Sequence, residues 1–346
     1  MPTVLVTGGS GFVASHLILQ LLSANYTVRT TLRSLAGPKK SSLLDMLRSV
    51  GAHQEQLNNL SFYQADLTTD DGWQEAIAGC DFVHHVASPF PGHEPKSEDE
   101  IIIPAREGTL RVLREAQQQG VKRVIFTSSF GAVGYGYKAD EKDAFDEQDW
   151  SREEGLSAYL KSKLYAERSA WGFVKEPGNT LELSVVNPVG IFGPVLSKDG
   201  VGSSINLVKS LLDGSVPACP RMFFNMVDVR DVASLHVLCM TQASAAGQRF
   251  LASSTPEPVS MLQLAQHIAK LRPDLAGKLP TKEMPNWTVR VMSCFSSKMK
   301  AILPQVGVVR RIKGQKATDM LGWKSRDTDE MVGDMVEALV RLDLVK

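Results

Sequence analysis

The amino-acid sequence predicts an α/β protein: a doubly wound parallel sheet with a smaller, mostly helical C-terminal lobe. Three observations carry that expectation. Short β-rich runs alternate with longer helical patterns through the first half of the chain, a glycine-rich turn follows the first run directly, and beyond Pro188 the alternation gives way to Gly- and Pro-containing connections.

The β-rich runs fall at residues 4–7, 27–32, 60–65, 82–86, 124–127 and 183–186, and the helical patterns between them at 12–23, 42–50, 72–78, 107–119 and 158–174. Strand, helix and strand repeated in this way require right-handed crossovers and a sheet covered on both faces. Later helices are expected at 205–212, 229–240, 261–271 and 330–342. The run from Phe223 to Val229 reads as a strand feeding a helix, so the chain is expected to return there to the first domain. The expected boundaries are 1–188 and 222–252 for a dinucleotide-binding domain, and 189–221 and 253–346 for a substrate lobe.

Composition narrows the function. The 38 Lys and Arg balance 38 Asp and Glu, which argues against a polyanion binder needing excess cations to neutralise phosphates. No run of about 18 uncharged apolar residues is present, and the first strand begins directly behind Met1 and Pro2. The expectation is a cytoplasmic protein that binds neither nucleic acid nor membrane. Cys80, Cys219, Cys239 and Cys294 never form Cys-x-x-Cys and read as buried thiols. Adjacent His84 and His85 should face opposite sides of a strand, without metal-ligand spacing.

The strongest motif is Thr7-Gly8-Gly9-Ser10-Gly11-Phe12-Val13-Ala14, between the first strand and an apolar-periodic helix. Glycines there let backbone approach a pyrophosphate, which the free amides of the helix N-terminus stabilise. About 20 residues on, a dinucleotide site reads the adenosine ribose, with an acid for a free 2′-hydroxyl or an arginine for a 2′-phosphate. Here that position is Arg33, followed by Lys39 and Lys40, so the expected cofactor is NADP(H). Asp66-Leu67 after the third strand suits adenine; Asp66 also suits a helix N-cap. Thr127-Ser128-Ser129 ends the fifth strand, and Tyr159 and Lys163, four apart, share a helix face. A lysine ammonium and an oxidised nicotinamide nearby would favour the phenolate of a tyrosine whose free pKa is about 10.

Together with Val86-Ala87-Ser88-Pro89 and Asn187-Pro188-Val189-Gly190-Ile191-Phe192-Gly193-Pro194, this ordered set resembles the extended short-chain dehydrogenases/reductases, whose fold is of the Rossmann type. Within them it is most similar to the branch of dihydroflavonol reductases, cinnamoyl-CoA reductases and microbial carbonyl reductases. The resemblance runs from Val4 to about Trp323. It implies that Ser129 orients a carbonyl, Tyr159 protonates the developing alkoxide, and Lys163 lowers the tyrosine pKa and bonds the nicotinamide ribose. It further implies that Asn187, Pro188 and Val189 flank the nicotinamide, that Val86, Ala87 and Ser88 line the cofactor path, and that Arg33 and Lys40 grip the 2′-phosphate. Two departures weigh against a plant phenylpropanoid role. Gly134 stands where the flavonoid reductases carry an Asn, and Leu156-Ser157-Ala158-Tyr159 replaces an Asn-Trp-Tyr-rich signature.

The expected activity is reduction of an aldehyde or ketone with NADPH, on a small-molecule carbonyl substrate, by a monomer or homodimer. Phe90, Ser129, Phe130, Tyr159 and Phe224 are the candidate substrate contacts, within segments rich in apolar and aromatic types, and Arg221 is the nearest candidate cation. Neutral substrates with an apolar or aryl group are therefore expected. Two alternatives remain: an NAD-dependent nucleotide-sugar epimerase or dehydratase, disfavoured by Arg33 and by the missing Asp-Glu pair after Thr127, and a non-catalytic NADPH sensor, disfavoured by the presence of both Tyr159 and Lys163.

Overall fold

The computed structural model describes residues 1–89, 97–138, 141–198, 202–255 and 257–345. Seven parallel strands form its central sheet: β1 (Thr3–Val6), β2 (Thr27–Leu32), β3 (Leu60–Gln64), β4 (Phe82–His85), β5 (Arg123–Thr127), β6 (Glu182–Pro188) and β7 (Arg249–Ala252). They lie in the order β7-β6-β5-β4-β1-β2-β3. The chain winds outward in both directions from the β1/β4 boundary, and this reversal opens a crevice at the strands' carboxyl ends.

Burial follows the two-residue period of a strand. Val4 and Val6 face helices α1 (Phe12–Ser23) and, later in the chain, Val229–Thr241, in a core that includes Leu17, Leu21 and Leu235. Leu5 and Val83 face the opposite layer, α2 (Asp99–Gln118) and α3 (Ala158–Val174), where they meet Val112, Leu113 and Ala170. All five residues of β5 are buried, as both-face coverage requires. His84 and His85 obey the same alternation. His84 reaches His236 at 3.3 Å on one side, and His85 lies 3.4 Å from the Thr109 hydroxyl of α2 on the other.

Two elements differ from the sequence expectation. Helix α2 begins at Asp99 rather than 107 and contains Pro104. Asp99 and Glu100 complement the helix dipole, and buried Ile101 and Ile102 anchor the first turn, so the single hydrogen bond lost at Pro104 does not stop it. The run from Phe223 to Val229 does feed a helix, through two short strands outside the central sheet. Phe223–Phe224 pairs antiparallel with Val259–Ser260, and Met226–Asp228 pairs parallel with Gly190–Phe192. The Asp228 carboxylate then caps the next helix by accepting Arg230 N–H at 2.7 Å. This helix, α4 (Val229–Thr241), packs on the sheet and leads to β7, a strand the sequence reading did not anticipate.

Beyond the sheet, helices Ser203–Leu212, Met261–Leu271 and Thr328–Arg341 surround a separate apolar core containing Phe192, Ile205, Ile268 and Met335. Among the described residues no helix is long and apolar enough to cross a membrane. Cys80, Cys219 and Cys239 are buried thiols; Cys294, the residue that caps the end of helix Asn286–Ser293, is exposed, contrary to expectation.

Candidate active site

A cleft of about 1360 Å³ runs along the carboxyl ends of the strands and under the C-terminal lobe. At one end lies the glycine turn. Gly8 has φ +72°, and a Cβ on Gly9 would stand 2.2 Å from Thr30 Oγ1, so backbone occupies space that any side chain would fill. Helix α1 starts at Gly11 with no side-chain cap, which leaves its first amides for a ligand. Gly8, Ser10, Gly11, Phe12 and Val13 line the cleft. Thr7 does not: its hydroxyl accepts Val86 and Ala87 N–H at 3.0 and 2.9 Å, tying the turn to the end of β4.

Arg33 and Lys39 line the cleft where the second strand ends. Lys40 points elsewhere, with its ammonium 5.2 Å from the centre of the Phe62 ring. The one-residue difference is helical. Lys39 is the first residue of helix Lys39–Ser49, and the next residue is rotated by about 100°. Asp66 and Leu67 line the same region. The Asp66 Oδ1 accepts the Thr68 hydroxyl and N–H at 2.7 and 2.8 Å, and these bonds hold its carboxyl below the usual range. These residues fit a dinucleotide bearing a 2′-phosphate: a glycine cradle, an uncapped helix start and two cations.

Further along, Val86, Ala87, Ser88, Thr127, Ser129, Tyr159, Lys163, Pro188 and Val189 share the wall. Ser129 caps a short turn, its Oγ accepting Gly131 N–H at 3.0 Å. Tyr159 and Lys163 project from α3, whose start is fixed by the Ser157 cap. Thr127 Oγ1 lies 3.0 Å from His236 Nε2. Asn187 stands behind the wall, donating through Nδ2 to Glu167 Oε2 at 2.7 Å and to the Ser129 carbonyl at 3.3 Å.

The electrostatics depart from expectation in one respect. Tyr159 leaves 39% of its surface open, yet burial of its hydroxyl end pushes the phenol above its usual pKa, and Tyr135 adds to the rise. Lys163 is pushed down to about 8 by burial, opposed by the Glu167 charge. At Tyr159 burial is the largest influence on the phenol, and a positive nicotinamide beside it would act in the opposite direction.

The far end of the cleft is apolar, with Met222, Phe224, Met261, Met284, Met299 and Ile302 among its lining. Phe130 reaches the cleft but is 5% exposed, packed edge-on against Tyr135 and Phe145. Its ring also explains Gly134, where a Cβ would stand 2.2 Å from Phe130 Cζ. Phe90 lies outside the described residues. The cation expected at Arg221 is instead Arg310; Arg221 lines a separate hollow beside Trp287. Arg310 lies over the Tyr135 ring at 4.3 Å and donates to the Gly134 carbonyl and Gln305 Oε1 at 2.9 and 2.8 Å. Its Gly134 partner is 176 residues distant in the chain, and no local pattern marks it. Glu167, fully buried behind the wall, was likewise not singled out.

A glycine-turn crevice continuous with a Ser, Tyr and Lys wall defines the dinucleotide-dependent oxidoreductase class. A family model described as the 3-beta hydroxysteroid dehydrogenase/isomerase family matches residues 5–270, and the chain belongs to that family. The Candida albicans protein GRP2, named as an NADPH-dependent methylglyoxal reductase, is 30% identical over 98% of both chains. Cinnamoyl-CoA reductase CAD2 of Medicago truncatula is 35% identical over 72% of this chain and 75% of its own. Among solved structures, yeast methylglyoxal/isovaleraldehyde reductase Gre2, complexed with NADPH, superposes with a TM-score of 0.81 at 26% identity, over 99% of each chain.

Proposed function

We propose that the protein is an NADPH-dependent carbonyl reductase acting on aldehydes and ketones, with preference for those bearing an apolar or aryl group. The observation that carries this reading is a single cleft with Arg33 and Lys39 at one end, Ser129, Tyr159 and Lys163 along its wall, and a methionine- and phenylalanine-lined pocket beyond. The named activities of GRP2 and Gre2 support it.

NADPH, when bound, supplies the hydride. The glycine turn and α1 would hold its pyrophosphate, Arg33 and Lys39 its 2′-phosphate, and Lys163 its nicotinamide ribose. Ser129 accepts Gly131 N–H through its oxygen, which orients the side chain, and its hydroxyl proton would be donated to the substrate carbonyl. Tyr159 gives its proton to the oxygen as charge develops there, a transfer that general acid catalysis makes worth about 10²–10⁴-fold. Apolar side chains exclude water and orient the substituent.

Initial rates with NADPH on benzaldehyde and an aryl ketone test the reading, with Tyr159→Phe as the control. Turnover by the native protein and loss of at least about 100-fold in the variant are expected. Full activity in Tyr159→Phe would overturn the mechanism. No turnover of any carbonyl by a protein that binds NADPH would favour a sensor.

A further inference from the structure

The wall that carries the reacting groups has a buried anion behind it. Glu167 is fully buried on α3, one turn beyond Lys163. Its Oε2 accepts the Ser128 hydroxyl at 2.5 Å and Asn187 Nδ2 at 2.7 Å, while Oε1 accepts Arg249 Nε at 2.6 Å and Trp171 Nε1 at 3.3 Å. These four donors come from the residue just after β5, from β6, from β7 and from α3 itself, so a single carboxylate joins the end of β5 and the next two strands in the sheet order to the helix that carries Tyr159 and Lys163.

We propose that Glu167 is a positioning residue for the reaction, fixing the Ser128-Ser129 turn and Asn187 in place and supplying the negative charge that Lys163 faces. This rests on the carbonyl-reductase reading for its catalytic consequence, but not for its geometry.

The first half of the role is visible in Asn187. Its Oδ1 is buried with no hydrogen-bond partner among the described residues, an arrangement that is ordinarily costly. An acceptor-only carboxylate explains the orientation: Glu167 can take only the amide's N–H side, which turns Nδ2 toward it and toward the Ser129 carbonyl. Ser128, bonded to the same oxygen, is the chain neighbour of Ser129. Two anchors on one atom thus set the backbone from which the Ser129 hydroxyl projects.

The second half concerns charge. Among the described residues, few titratable groups face Lys163. Tyr159 and Glu167 share its helix; His85 approaches from β4 and is held neutral by burial, its pKa pushed down to about 3. Arg249, from β7, faces Glu167 rather than Lys163 and is itself held by the Glu147 and Asp149 carbonyls and the Trp150 ring. Burial works against the Lys163 ammonium, and Glu167 is the anion that opposes it. Because the lysine must stay protonated to help the tyrosine, Glu167 sets how far up the pH scale the reaction runs.

The test titrates Lys163 directly, by its rate of acetylation with acetic anhydride at graded pH, read by mass spectrometry of its peptide, in native protein and in Glu167→Gln. Glutamine preserves shape, and its NH2 could bond Asn187 Oδ1 after an amide flip. The midpoint for Lys163 should fall by about one pH unit or more in Glu167→Gln, and the alkaline limb of kcat should move with it, while activity recovers at lower pH. An unmoved midpoint, or a kcat lowered equally at every pH, assigns Glu167 a structural role only and overturns the proposal. If Glu167→Gln does not fold, Arg249→Gln decides by the opposite sign: removing the cation from Glu167 should raise the midpoint, and an unchanged or lowered midpoint overturns the proposal. The labelling requires no turnover, so a native protein inactive on every carbonyl would refute the reductase reading and leave this measurement decisive for Glu167.

Discussion

The Ser129 hydroxyl oxygen accepts the backbone N–H of Gly131 at 3.0 Å. That bond aims the side chain and leaves its proton available to a ligand. Ser129→Ala should lower kcat/KM for an aryl aldehyde by about 10²–10³-fold, the usual effect of losing one donor to a developing oxyanion. Affinity for NADPH, measured by fluorescence titration, should change little. A loss confined to NADPH binding would place Ser129 in the cofactor site instead.

Cofactor choice should follow Arg33 and Lys39, the two cations of the cleft beside the end of the second strand. A charge-assisted contact is worth about 1.5–3 kcal/mol, so kcat/KM with NADPH should exceed that with NADH at least about tenfold. Arg33→Asp should collapse the preference. Lys39→Ala should weaken NADPH binding more than Lys40→Ala, because only Lys39 lines the cleft while Lys40 rests over Phe62. Equal effects of the two lysine changes would mean that charge in this loop acts without direct contact.

Stability should decline on mild acidification. His16, His85 and His236 are pushed down to about 4, 3 and 3 by burial, and His84 well below its ordinary value. Each binds a proton in the unfolded chain near pH 6.5 but not in the folded one. Their stabilisation is therefore present above about 6.5 and is lost as pH falls toward their folded values, at up to about 1.4 kcal/mol per unit for each histidine. The urea midpoint should be clearly lower at pH 5 than at pH 7. A flat midpoint across that interval would contradict the burial of these rings as neutral groups.

Gly9→Ala should cost about 1–3 kcal/mol and weaken NADPH binding, since its Cβ would strike Thr30 Oγ1. The double variant with Thr30→Ala should recover part of that cost, measured by a thermodynamic cycle on urea midpoints. Strict additivity would mean that the clash is not the cause.

Much of the fold was legible because it is local. The periods of β2, α1, α3 and Met261–Leu271 fixed their bounds to the residue, and the glycine turn announced itself between a strand and a helix. Tyr159 and Lys163 could be paired on one face from spacing alone. What escaped depends on distance in the chain. Arg249 meets Glu167 from 82 residues away, and Arg310 bonds the Gly134 carbonyl from 176 away; neither leaves a periodic trace. β7 is four residues long and entirely buried, Arg249 included, too short to show a period. Lys39 and Lys40 were distinguishable only once the helix start was known.

The ion pair of Glu167 with Arg249 also bears on how the chain matures during synthesis. A nascent polypeptide that has emerged only through β6 carries every reacting side chain of the wall, yet its buried carboxylate lacks the cation that neutralises it. Desolvating an unpaired anion costs several kcal/mol, more than a partly formed sheet edge can supply. The wall should therefore close only after β7 has left the ribosome and docked beside β6, more than 80 residues after Glu167 is made. Its completion is then expected as a late step in translation, and a chain truncated before Arg249 should present an open, water-filled edge to chaperones.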